Sequence, residues 1–234
     1  MVPLRDNNPT QITPYVNYTL IVINILVFLY ELSLNSQALE RFFRTYVIVP
    51  RDLTASFSSG DMSQIVPQLL TLVTSQFLHG GFLHLGGNML FLWIFGNNIE
   101  EKLWRFKYLI FYLTCGILAG LAQWFFSTQS NVPALGASGA IAGVLGAYII
   151  RFPKAQILTL IPFGFFLHTV RVPAFLFLGF WFVQQAFYGA ASLNAPSNVG
   201  TGGGVAYWAH AGGFVFGVLL GPLFGLFSSR KRDL

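Results

Sequence analysis

Four long stretches without a single Asp, Glu, Lys or Arg decide what this chain can become: residues 7–30, 62–99, 108–150 and 172–229. About 20 consecutive apolar residues suffice to cross a bilayer, where only a helix or a closed barrel satisfies the backbone. Soluble domains carry about a quarter charged residues. Here 9% are charged and 54% are hydrophobic. The chain therefore reads as an all-α membrane protein that uses the lipid bilayer as a second apolar phase. Its net charge of +5 does not point to nucleic acid, because the basic residues are scattered among short loops and not gathered on one face. The single cysteine, Cys115, lies in an apolar run and reads as packing. The polar opening from Met1 to Asn17 lacks the form of a cleavable signal peptide.

The first two stretches hold one span each, near Val16–Leu34 and Phe82–Ile99. The third breaks at the polar segment 127–133 and the fourth at the Gly-, Ser-, Asn- and Pro-rich segment 189–204. Six spans result, the last four near Tyr108–Phe126, Ser138–Ile150, Val172–Tyr188 and Val205–Phe227. The expected organisation is a short N-terminal segment 1–15, one six-span domain 16–227 with an outer loop 35–81, and a basic tail 228–234. Ten of the 13 basic residues (Arg5, Lys102, Arg105, Lys107, Arg151, Lys154, Arg171, Arg230, Lys231, Arg232) fall on one side. The positive-inside rule makes that side cytoplasmic, with both termini on it. A prokaryotic inner membrane is the expected setting, with an organelle membrane as the alternative. In the outer loop, Leu39, Phe42, Phe43, Tyr46 and Val47 recur at helical spacing. They fit either an amphipathic segment in the interface or an ordinary folded loop.

The fourth span is short. Ser138 to Arg151 rises only about 20 Å, against a hydrocarbon core of about 30 Å. A helix that starts inside the bilayer needs water or protein around its first amide groups, which implies a wet pocket open to the outside. Ser138 stands at that start, within Gly136-Ala137-Ser138-Gly139. Gly136 and Gly139 permit close backbone approach. His210 opens the sixth span, within Ala209-His210-Ala211-Gly212-Gly213. Counted back from Arg230, it lies about 30 Å up its helix, and it reaches the layer of Ser138 only if that span tilts, bends near Pro222 or runs past the membrane edge. His84 and Asn88 are i and i+4 on the second span and share a face. Singly, His84 and Asn88 read as interhelical glue and Ser138 as a residue of close helix packing, whereas a histidine inside a span, as His210 is, is rare and faces the bundle interior. Together, a hydroxyl, an imidazole and two hydrogen-bond donors suggest a nucleophile, a base and an oxyanion hole. Gly213, Gly217 and Gly221 on the sixth span, with Gly139, Gly143 and Gly146 on the fourth, supply small faces for close helix contact.

Other chemistries lack their residues. There is no HExxH, no carboxylate deep in a span, and every Lys lies on the side away from Ser138. No metal or cofactor is expected, and His79, His84 and His210 show no metal-ligand spacing. A channel or transporter would be expected to carry a charged midplane site or internal repeats, and neither is seen.

The trio His79, His84 and Asn88, the segment Gly136-Ala137-Ser138-Gly139, and Ala209-His210 followed by Gly213 resemble the rhomboid family of intramembrane serine proteases. The resemblance runs from about Tyr15 to Phe227. It implies that Ser138 is the nucleophile, His210 the general base, His84 and Asn88 oxyanion donors, and Gly136 and Gly139 shapers of the active-site turn. It also implies transmembrane proteins as substrates, cut near their outer ends. A catalytically silent relative that binds and escorts transmembrane helices is the alternative. Two departures stand out. Leu70-Thr71 replaces the family's Trp-Arg pair in the outer loop. Ala142 replaces a Tyr that packs on the catalytic His, so another residue must orient His210.

Overall fold

The computed structural model describes residues 1–163, 166–193 and 205–228. Strand β1 (Val2–Asp6) leads into helix α1 (Tyr15–Ser33). Helices α2 (Ser36–Tyr46), α3 (Pro50–Ser59) and α4 (Met62–Thr74) form the loop that follows. Next comes a helix in three parts: α5 (Phe82–Phe91), a π-helical turn (Leu92–Gly96) and α6 (Asn97–Leu103). Helices α7 (Arg105–Phe126) and α8 (Ser138–Arg151), the hairpin β2 (Gln156–Phe163) and β3 (Phe166–Pro173), and helices α9 (Ala174–Ser192) and α10 (Tyr207–Leu223) complete the chain. Helices α1, α7 and α9 are long and apolar enough to cross a membrane, while α8 and α10 are shorter apolar helices.

The structure corrects the all-α expectation. β1, β2 and β3 form an antiparallel sheet in that order. Ile157 and Thr159 are fully buried on its inner face. The side chain of Tyr148 from α8 donates a 2.5 Å hydrogen bond to Asp6 in β1, tying the sheet to the bundle. The segment read as the start of the fifth span therefore belongs to a strand as far as Pro173. Its Val170 and Val172 suit a pleated, half-buried surface as well as they suit a helix in lipid.

α8 is the central helix. Every residue from Gly139 to Tyr148 is buried. It is short because Gly136 begins it from a positive φ of 115° and Phe152 leaves helical geometry. α10 packs along it through glycines. A Cβ at Gly213 would collide with the carbonyl of Gly139, and one at Gly217 with the carbonyl of Gly143. A Cβ at Gly146 would strike Phe214 on the α10 backbone. The two backbones thus touch without intervening side chains, as small-residue faces allow.

The loop from α2 to α4 is anchored without a Trp-Arg pair. Ile48 bridges Ala134, Trp124 Nε1 donates to Thr54 Oγ1 at 2.9 Å, and Thr74 Oγ1 donates to the Tyr46 carbonyl at 2.7 Å. The expected tail (Arg230, Lys231, Arg232) and most of the 189–204 loop lie outside the described residues.

Candidate active site

Ser138 is the first residue of α8, so its backbone N–H has no acceptor within the helix. The turn before it is fixed from two directions. Gly136 N–H donates to the Ser75 carbonyl at 2.9 Å, and Ile141 N–H closes the first helical bond onto Ala137 at 2.9 Å. His210 sits in the first turn of α10, whose Ala209 N–H donates to Gln123 Oε1 of α7 at 3.2 Å. Nε2 of His210 lies 2.7 Å from Oγ of Ser138.

The depth mismatch expected for His210 does not arise. α10 ends at Leu223, not near Arg230. Gly225 adopts φ 95°, with Gly225 N–H on the Pro222 carbonyl and Leu226 N–H on the Gly221 carbonyl. That is a Schellman stop with glycine in the left-handed position. From His210 to Leu223 the helix rises about 20 Å, the same as from Ser138 to Arg151.

The residue that meets His210 from the other side is Gln185, on α9. Its Oε1 lies 2.8 Å from Nδ1 of His210, and the residue is 8% exposed. An amide oxygen only accepts, so Nδ1 carries the proton and Nε2 presents its lone pair to the Ser138 hydroxyl. The indole of Trp181, one turn earlier on α9, lies 5.8 Å from the imidazole between ring centroids. A polar residue in an apolar span was the available signal, but Gln184 and Gln185 are adjacent and only the fold selects one.

His84 and Asn88 converge on the other side of the turn. A Cβ at Gly136 would stand 2.7 Å from Nε2 of His84 and 3.4 Å from Nδ2 of Asn88. Glycine therefore leaves open the space that both groups face. Asn88 is buried, and its Nδ2 donates to Nε2 of His79 at 2.9 Å. His79 is held in turn by its backbone N–H, which donates to the buried carboxylate of Glu31 at 3.2 Å. Gly139 meets Ala119 of α7, so its missing side chain serves helix packing. A cavity of about 30 Å³ adjoins Ser138, lined by Ser75, Gln76, Leu135, Gly136 and Ala206 among others. It is large enough for one water molecule. Among the described residues, no three of His, Cys, Asp and Glu stand together as metal ligands would.

The rhomboid domain matches residues 66–227, which include all of these groups except Glu31. The chain belongs to the rhomboid family. This rhomboid protein is 32% identical over 209 residues to rhomboid protein 1, mitochondrial, of Saccharomyces cerevisiae, covering 87% of this chain and 51% of that one. It is 29% identical over 171 residues to rhomboid-like protein 11, chloroplastic, of Arabidopsis thaliana, covering 71% and 56%. It is 28% identical over 178 residues to the presenilin-associated rhomboid-like protein, mitochondrial, of Homo sapiens, covering 72% and 41%. The chain thus spans about half the length of these relatives or less. Their names overturn the expectation of a prokaryotic inner membrane: these relatives are proteins of mitochondria and chloroplasts. Composition and charge report only that a bilayer is present, which is why the sequence misjudged which one.

Proposed function

We propose that this rhomboid protein is a serine endopeptidase that cuts the transmembrane segments of other membrane proteins. The observation that carries the reading is the chain of contacts Gln185–His210–Ser138, at 2.8 and 2.7 Å, at the start of a helix too short to cross the bilayer. Nε2 of His210 takes the hydroxyl proton as Oγ of Ser138 attacks the amide carbon. The developing oxyanion is stabilised by the Ser138 N–H, Nε2–H of His84 and Nδ2–H of Asn88, with Gly136 leaving it room. Each such donor is worth about 10²–10³ in rate. The imidazolium then protonates the leaving amine, and water, activated by the same base, hydrolyses the acyl-enzyme.

The topology that goes with this reading has six spans, with α8 and α10 as the fourth and sixth, and both termini on the more basic side. The relatives support an organellar membrane as the setting. Substrates would present a locally unwound segment near the end of their span opposite the basic side, because a regular helix shields its amides.

Labelling of the detergent-purified protein with a fluorophosphonate tests the reading directly. Wild type should label at Ser138, while Ser138→Ala and His210→Ala should not. A folded wild type that fails to label although a small, apolar probe reaches the site would sink the protease reading and favour a protein that only binds transmembrane helices.

A further inference from the structure

The sheet at the basic end of the bundle takes no part in the chemistry above, yet it carries an organised charge pattern. Its register pairs Arg5 with Leu158 and Leu158 with Arg171. Cross-strand partners project to the same face, so the two arginines flank Leu158 in one row. With strands about 4.8 Å apart, their Cα atoms lie roughly 10 Å from each other. Residues of opposite parity, Ile157 and Thr159, are buried against the helices, so the arginine row faces outward.

A cavity of about 630 Å³ lies on that face, lined by Arg5 and Arg171 together with Asn7, Thr10, Asn97 and Gln156. Its size falls within the range of small-molecule sites. Neither guanidinium has an ion-pair or hydrogen-bond partner among the described residues. The one acidic residue in the lining, Asp6, does not neutralise them from the same face. Its carboxylate is engaged inward by Tyr148 at 2.5 Å and Asn98 at 3.0 Å. Two free guanidinium forks with amide and hydroxyl donors around them match a phosphate group.

Position selects the source of that phosphate. The sheet joins the end of α8 at Arg151 to the start of α9 at Ala174, and α9 is long and apolar enough to cross the membrane. The lipid headgroup layer is therefore the phase beside it. Beyond the arginine row, the same face runs on toward the hairpin turn through Leu160, Thr169 and the exposed Leu167.

We infer that the outer face of this sheet binds an anionic phospholipid, its phosphate held between Arg5 and Arg171. This goes beyond the protease reading and does not depend on it.

Native mass spectrometry of the full chain in a non-ionic detergent tests it, with short-chain phosphatidylglycerol and phosphatidylcholine as probes. Wild type should prefer phosphatidylglycerol by about tenfold, equivalent to about 1.4 kcal/mol. Arg5→Gln/Arg171→Gln should reduce that preference to within about twofold. Arg41→Gln/Arg44→Gln, which removes the same charge from exposed α2, should leave it intact. Equal binding of the two lipids by wild type would overturn the inference. So would an equal loss in both double variants, which reduces the effect to net charge. Displacement of phosphatidylglycerol by inorganic phosphate at comparable concentration would also overturn it and assign the cavity to soluble phosphates. Fluorophosphonate labelling of the same variants separates the two proposals, because labelling is expected to persist in all of them.

Discussion

Gln185→Leu isolates what orients the base. Leucine fills similar volume but accepts nothing, so the Nδ1–H of His210 loses its 2.8 Å partner. A hydrogen bond between neutral groups contributes about 0.5–1.5 kcal/mol, and one to a charged group about 1.5–3 kcal/mol. The imidazole is neutral before proton transfer and cationic during it, so the bond to Gln185 strengthens by about 1–1.5 kcal/mol as the reaction proceeds. That difference alone is a factor of about 5–15 in rate. Without the acceptor, nothing keeps the ring proton on Nδ1, and a ring protonated on Nε2 cannot serve as base. The combined loss is expected to be about 10–100-fold in kcat, with KM little changed. Gln185→Glu keeps an acceptor at the same distance and should retain most of the rate. The assay is the fluorophosphonate labelling rate of Ser138 together with kcat on a transmembrane peptide, beside a melting curve for each variant. A folded Gln185→Leu that labels at the wild-type rate would refute the reasoning, as would a Gln185→Glu variant damaged as badly as Gln185→Leu.

Gly136→Ala puts a side chain at φ 115° and 2.7 Å from Nε2 of His84, at a backbone cost of about 1–3 kcal/mol, so labelling should fall sharply while the fold survives. Gly217→Ala drives a methyl into the carbonyl of Gly143 and should destabilise by about 1–3 kcal/mol, read as an earlier midpoint in denaturant titration. Burial holds the Asp6 carboxyl above its ordinary value of 3.8 despite the opposing bonds from Tyr148 and Asn98. The native state then binds that proton more tightly than the unfolded chain. Stability from this group is full below about pH 4 and falls as pH rises through the native value. Asp6→Asn should flatten this slope in melting temperatures taken from pH 4 to pH 7, and an unchanged slope would show that Asp6 is not its source.

The helices were legible because lipid-facing sequence leaves little choice: the starts of α1, α7 and α8 fall within three residues of those read from the charge-free stretches. Ser138 and His210 were legible as polar exceptions in apolar runs. The sheet was not, because Leu158 and Leu160 on its outer face are as apolar as Ile157 and Thr159 are buried, which erases the period of two. β1 was hidden for another reason: it pairs with residues some 150 positions away. The end of α10 was marked by Gly225, but a charge count passes over a glycine stop. Gln185 needed the fold itself, since its distance from His210 depends on how α9 leans on α10.

The glycine seam between α8 and α10 acts as a datum surface. Most helix pairs are spaced by side chains that can change rotamer, so small errors are absorbed locally. Here backbone rests on backbone, and a single added carbon displaces an entire helix. Gly217 lies about two turns from His210, yet any thickening there propagates undamped to the gap between imidazole and hydroxyl. Substitution is therefore cheap on the lipid-facing sides of these helices and costly along the seam, however far from the chemistry it falls.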